Sequence, residues 1–163
     1  MADSITLRKL RESFSSSVVD THSYRGDDTA IVKRVDIFEI CRFLRDDSDL
    51  SYNFLMDLTA VDYLGKKEPR FEVVYHLYSL KNQQRVRVKA AVPESDPAID
   101  SVSSLWAVGD WLERECWDMF GIKFNGHPDL RRILLYEEFA GHPLRKDYPV
   151  DKRQPLPLPG GQE

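Results

Sequence analysis

The chain has 163 residues, 42% apolar and 31% charged, the composition of one soluble globular domain with its own core. Its net charge of −4 is spread along the sequence, which excludes the clustered basic footprint of a nucleic-acid binder. Cys41 and Cys116 stand far apart with no CxxC or Cys/His spacing, so the chain cannot supply the four ligands of an iron–sulfur cluster. No apolar run approaches the ~20 residues of a membrane span, and two free thiols without a secretory leader fit a reducing compartment.

Residues 4–14 read as a short helix, with Ile5, Leu7, Leu10 and Phe14 near one stripe and Ser4 as N-cap. Residues 18–24 and 29–35 read as strands of a hairpin turned by Arg25-Gly26-Asp27-Asp28. Asp36 with Glu39 resembles a capping box, and Ile37, Ile40, Cys41 and Leu44 give the helix that follows an apolar face. Three strands come next, over 54–63, 71–80 and 85–92. In the last, Val86, Val88, Ala90 and Val92 face in while Arg85, Arg87 and Lys89 face out. Short connections make neighbouring strands antiparallel. A loop over 93–97 leads to residues 103–120, which Gly109 breaks into a turn and a main helix with an apolar stripe of Leu112, Cys116 and Met119. On that helix Asp110, Arg114 and Asp118 have the spacing of ion pairs along one face. The order αββαβββα predicts an α+β fold: a mainly antiparallel sheet of about five strands with helices packed on one face, plus an extended C-terminal tail.

The division falls near residue 120. Residues 1–120 carry 16 basic and 21 acidic side chains, a net of −5, whereas 121–153 carry 7 basic and 5 acidic, a net of +2. From Gly121 onward regular periodicity stops, and Gly126, Pro128, Gly141, Pro143 and Pro149 punctuate a run rich in arginines and large apolar residues. A structureless stretch of roughly 25 residues in a compact domain is functional or held against something. Two readings stay open from composition: the segment folds back on its own sheet, or it wraps a partner, as its arginine and aromatic content suggests. The final Pro/Gly-rich residues, 154–163, read as frayed or extended.

Enzymatic readings are weaker. Asp57 and Asp62 are five apart in one strand, hence on opposite faces, and read as edge or turn residues. The His127-Pro128 and His142-Pro143 pairs lack zinc-ligand spacing and each reads as a tight Gly-His-Pro turn. Cys116 lies on the apolar stripe without a basic neighbour and reads as a buried thiol; His22 and His76 read as structural. No P-loop or GxGxxG is present.

The run Glu113-Arg114-Glu115-Cys116-Trp117-Asp118-Met119-Phe120-Gly121-Ile122, followed by Gly126-His127-Pro128, Arg132-Ile133-Leu134 and Gly141-His142-Pro143-Leu144-Arg145-Lys146-Asp147-Tyr148-Pro149, closely resembles the signature of one family. That family is the C-type, or 30-kilodalton, subunit of the proton-pumping NADH:quinone oxidoreductase, respiratory complex I. The resemblance covers essentially residues 1–150. It implies a non-catalytic subunit of the peripheral arm that binds no cofactor itself, with FMN and iron–sulfur clusters in partner subunits. The implied partners are chiefly the quinone-site D subunit and also the B and I subunits. The implied place is the cytoplasmic side of the bacterial inner membrane, reached only through the complex. Residues 1–120 are then the α+β domain ending in the signature helix, and 121–163 the segment that wraps a partner. The interface candidates are Glu113, Arg114, Trp117, Asp118, Arg131, Arg132, Tyr136, Phe139, Arg145, Lys146, Asp147 and Tyr148. Two alternatives remain: the equivalent subunit of a related complex with a ferredoxin, F420 or hydrogenase-type donor, and a soluble protein-binding adaptor.

Overall fold

The alternation of Val86, Val88, Ala90 and Val92 gives the strand Gln84–Val92 one apolar face, and the strands beside it bury the same side. The computed structural model describes residues 4–155. In chain order its elements are α1 (Ile5–Ser13), β1 (Val18–Tyr24), β2 (Asp27–Val32), α2 (Ile37–Asp46), β3 (Phe54–Asp62), β4 (Phe71–Ser79), β5 (Gln84–Val92), β6 (Ala98–Asp100), α3 (Gly109–Phe120) and β7 (Lys123–Asn125). Strands β1 to β5 form one sheet in the order β1-β2-β5-β4-β3. The fold is the α+β arrangement expected from the pattern of elements. Leu7 and Leu10 of α1, Ile37, Ile40, Cys41 and Leu44 of α2, and Cys116, Met119 and Phe120 of α3 share one core with Leu58, Tyr75, Leu77 and Val88 of the sheet. The helices thus cover one face. No helix among the described residues is long and apolar enough to cross a membrane.

Several local readings change. The hairpin turn contracts to Arg25 and Gly26, both at positive φ (54° and 87°), and β2 begins at Asp27 and ends at Val32; two central residues with φ > 0 match the twist of the flanking strands. The sheet is mainly antiparallel, yet β2 lies parallel to β5, from Asp28 opposite Val86 to Val32 opposite Ala90. Those strands are not consecutive, and the chain between them, carrying α2, β3 and β4, is long enough for a parallel crossover. The capping box is not made: Asp36 ends a 3-10 turn, Arg34–Asp36, and caps nothing with its side chain, while Glu39 pairs with Arg42. Strands β6 and β7 form a short parallel pair that alternation is too brief to reveal. Beyond β7 the described chain has no further helix or strand, and residues 156–163 lie outside the described part.

Leu44 is fully buried on α2, so Leu44→Ala is expected to lower stability by about 2–5 kcal/mol in urea unfolding. The Tyr75 hydroxyl is buried without a hydrogen-bond partner among the described residues. Tyr75→Phe is therefore expected to leave the melting temperature unchanged or raise it.

Candidate functional site

An α-helix leaves its last four carbonyls without partners inside the helix. In α3 these belong to Trp117, Asp118, Met119 and Phe120, and all are satisfied. Trp117 O accepts the Gly121 N–H at 2.7 Å and Met119 O the Leu144 N–H at 3.1 Å. His142 Nδ1 donates to Asp118 O at 3.0 Å and Arg145 Nε to Phe120 O at 2.6 Å. The stretch His142-Pro143-Leu144-Arg145 is therefore a cap for α3, with the cation Arg145 at the negative end of the helix dipole. Gly121 ends the helix at φ +73°, and a Cβ there would sit 2.5 Å from the His142 ring and 2.8 Å from Arg145.

From the same last turn, the buried Asp118 carboxylate gathers the preceding part of the tail. Its Oδ2 accepts the N–H groups of Ile133, Leu134 and Leu135 at 3.1, 2.9 and 3.0 Å, and its Oδ1 accepts from Arg132 Nη1 at 2.6 Å. Three successive N–H groups around one carboxylate form a backbone nest for an anion. Burial pushes the Asp118 carboxyl up, but the amides and Arg132 outweigh it and hold it below the usual carboxylate range. Arg132 also donates to Phe139 O at 2.6 Å and lies over the Trp117 and Phe139 rings. Arg114 donates to the carbonyls of Arg131 and Arg132 and lies over Trp111. The ion pairing expected between Asp110, Arg114 and Asp118 is thus absent: Arg114 and Asp118 turn to the tail, and Asp110 faces His127 at 3.1 Å.

The far anchor is a buried ion cluster at the β3–β4 end of the sheet. Asp62, on the core side, pairs with the buried Arg70 at 2.7 Å, and Arg70 also meets Glu94 at 2.5 Å and Asp147 at 2.9 Å. Asp62 accepts the Lys146 N–H at 2.8 Å as well. The Arg70 hydrogen bond is the largest influence holding the Asp62 carboxyl down, at about 2. Between the anchors Tyr136, Phe139 and Tyr148 pack their rings together, and the Gln154 amide closes this loop by bonding both backbone groups of Ala140 and the Tyr148 hydroxyl. Facing outward are Arg131, the Lys146 side chain, Leu134 (61% exposed) and Leu144 (50% exposed).

At the other end of α3, the fully buried Glu113 accepts from Ser101 Oγ and the Val102 N–H, each at 2.6 Å. His127 Nδ1 accepts the Asp129 N–H at 3.1 Å, so Nε2 carries the ring hydrogen and donates to Asp110 O at 3.1 Å. Both Gly-His-Pro turns thus aim their imidazoles at α3. Of the twelve candidate residues, Glu113 and Asp118 are buried within the chain and Arg114, Arg132 and Arg145 bind its backbone. Asp62, Arg70, Glu94, Gly121 and His142 belong to the same construction and are not among the candidates. Asp62 was legible in principle: it shares the parity of Leu58 and Ala60, and a carboxylate on a core face needs a buried partner. Cys41 and Cys116 are buried free thiols. Among the described residues no group of three or more His, Cys, Asp or Glu is placed to hold a metal ion.

Burial raises the Glu113 carboxyl to about 7, with the Ser101 and Val102 hydrogen bonds opposing it. A raised acid binds its proton more tightly in the folded state, so its contribution is fully present below the unfolded value of 4.5 and is lost as pH rises through about 7. His76 and His142, held below their ordinary value chiefly by burial, act in the opposite sense. The difference between variants isolates Glu113: Glu113→Gln is expected to match the wild type near pH 5 and to be more stable by about 3 kcal/mol near pH 8, by thermal melts across that range. Asp118→Ala leaves three amides and Arg132 without their acceptor. It is expected to cost about 3 kcal/mol or more in urea unfolding and to speed trypsin cleavage after Arg131 and Arg132.

Residues 30–154 match the family described as respiratory-chain NADH dehydrogenase, 30 Kd subunit. A protein named as the C subunit of NADH-quinone oxidoreductase from Geobacter metallireducens is 60% identical over 142 residues, 87% of this chain and 86% of that protein. One of the same name from Geobacter sulfurreducens is 52% identical over 152 residues, 93% of each. A solved structure of a trypsin-resistant fragment of Nqo5 superposes with a TM-score of 0.64 at 32% identity, covering 77% of this chain and all of the fragment. A chain of the membrane-bound sulfane sulfur reductase, an archaeal respiratory membrane complex, shares the fold with a TM-score of 0.74 at 23% identity, over 88% of this chain and 84% of its own. With its signature helix, its Gly-His-Pro turns and relatives of this identity over nearly full length, the chain belongs to the respiratory-chain NADH dehydrogenase 30-kDa subunit family.

Proposed function

We propose that the chain is the C-type subunit of an NADH:quinone oxidoreductase, which carries electrons from NADH through FMN and iron–sulfur clusters to quinone and couples this to proton translocation. Its part is structural and non-catalytic. The relatives named for that subunit of NADH-quinone oxidoreductase, matched over most of both chains, support the complex. One observation carries the structural role: Arg114, Asp118, Arg132 and Arg145 direct their hydrogen bonds to their own chain and hold an irregular segment in one shape. What that segment turns outward is a strap of Arg131, Lys146, Leu134, Leu144 and the partly exposed Tyr136, Phe139 and Tyr148. Asp147 ties the strap to the sheet, and Trp117 supports it from beneath through Arg132.

In this reading the strap lies against the quinone-site D subunit, with the B and I subunits nearby. The flavin and clusters belong to partner subunits, and the complex holds the chain at the cytoplasmic side of the bacterial inner membrane. Asp118 serves the interface by shaping the strap, and Glu113 by fixing the loop at Ser101 and Val102 against α3, both without touching the partner. A second reading keeps the fold and changes the complex, making the chain the equivalent subunit of one with another electron donor; a chain of the sulfane sulfur reductase, a respiratory membrane complex, has that fold.

Mild-detergent capture of tagged chain from its own membranes is expected to recover a flavin- and iron–sulfur-containing assembly with NADH:quinone activity. Leu134→Asp is expected to keep the wild-type melting temperature and lower recovery of partner subunits by about tenfold or more. A colourless monomer from the wild type would overturn the subunit reading, and full assembly of the Leu134→Asp chain would overturn the strap. An assembly that reduces quinone only from another donor would select the second reading.

A further inference from the structure

The sheet face opposite the helices has two unlike ends. Toward Glu72 it is self-contained: Glu72, 2% exposed, lies between Lys67 at 2.6 Å and Lys89 at 2.9 Å, and Val74 is buried beside it. The end near Phe54 is not. There the pairing of β3 with β4 slips between Leu55 and Asp57, so that Leu55 and Leu58 both turn to the core while Met56 and Asp57 both turn out. Such a bulge re-aims a side chain. Two rows then cross the strands, Phe54–Tyr78–Arg85 and Asp57–His76–Arg87, with Met56 beside the second. Phe54 and Met56 are 49% and 47% exposed, though both are large apolar residues.

Arg87 has five N–H donors, yet its hydrogen bond in the described structure is one to Thr29 Oγ1 at 3.4 Å, and it makes no ion pair among the described residues. Arg85 meets Asp27 only at 3.7 Å, between two exposed side chains. Both arginines line a hollow of about 320 Å3 with Asp27, Met56, Asp57 and His76. Burial and then the Arg87 charge disfavour the His76 imidazolium, and Asp57, on the far side of His76, is exposed to water. A carboxylate entering the hollow satisfies the Arg87 donors and offsets its charge beside His76. Arginine, aromatic residues and methionine together are the composition of an interface centre.

We propose that Phe54, Met56, Tyr78, Arg85 and Arg87 form a second docking surface, distinct from the C-terminal strap, for a segment of a neighbouring subunit that carries a carboxylate beside a large apolar side chain. This rests on the chain being a subunit of an oxidoreductase complex. The test places a benzophenone photoprobe at position 56 or, separately, at position 134 of the full chain, assembles the complex in membranes, and identifies cross-linked peptides by mass spectrometry. The position-56 probe is expected to label a peptide of another subunit with Asp or Glu within a few residues of the link. Arg87→Glu, checked for an unchanged melting temperature, is expected to reduce that product about tenfold and leave the position-134 product intact. No product from position 56 where position 134 reacts, a link to a second copy of this chain, a labelled peptide without a carboxylate, or indifference to Arg87→Glu would overturn the inference. Failure of both probes to reach another subunit would overturn the subunit reading itself.

Discussion

The irregular tail beyond β7 depends on the end of α3, where unpaired carbonyls and a buried carboxylate both need donors. Water cannot reach Asp118, so its oxygens take the N–H groups of Ile133, Leu134 and Leu135 and the guanidinium of Arg132. His142, Leu144 and Arg145 meet the carbonyls. A segment whose amides are taken one by one by side chains and helix ends cannot also form a helix or strand of its own. Ile133, Leu134, Leu135, Ala140, Leu144 and Lys146 give up their amides in this way, which withdraws them from any regular pairing. The absence of a Cβ at Gly121 is what lets His142 and Arg145 approach closely enough.

The second constraint is the ion cluster around Arg70. A guanidinium and Asp62 buried together are costly to desolvate, and their worth lies more in specifying one arrangement than in net stability. Here that arrangement joins four distant pieces of chain: Asp62 at the end of β3, Arg70 before β4, Glu94 after β5, and Lys146 and Asp147 of the tail. The cluster sets where the strap finishes, as Asp118 sets where it begins. Leu134 and Leu144 face outward because the side chains around them are committed inward.

The two faces of the sheet divide the remaining work. One is closed by three helices over a continuous apolar core. The other pairs its own charges around Glu72 and leaves its opposite end, with Met56 and Arg87, unmatched. A chain whose buried charges serve its own architecture, and which leaves Met56, Leu134 and Arg87 to its surface, is built to be held by neighbours.

How much of this was legible follows the range of the forces involved. Period-2 alternation in β5 and the apolar face of α2 are local patterns, and they predicted element types, the layer arrangement and the core with little error. The signature from Glu113 to Pro149 identified the family because its residue types and spacings are themselves sequence. The parallel pairing of β2 with β5, the bulge at Met56 and the β6–β7 pair were decided by tertiary packing, since pairing partners and register depend on chain far removed in sequence. The same holds for the charges of α3: at spacings of four residues they read as partners for one another, but Asp118 found amides fifteen to seventeen residues away and Asp62 one eighty-four away. By itself the sequence determined the family and the residues of its signature, while Arg70 and Glu94 stood outside every pattern it offered. Only the tertiary structure decided what each one touches, because a buried charge takes the donors that the closed fold brings to it, whatever their distance along the chain.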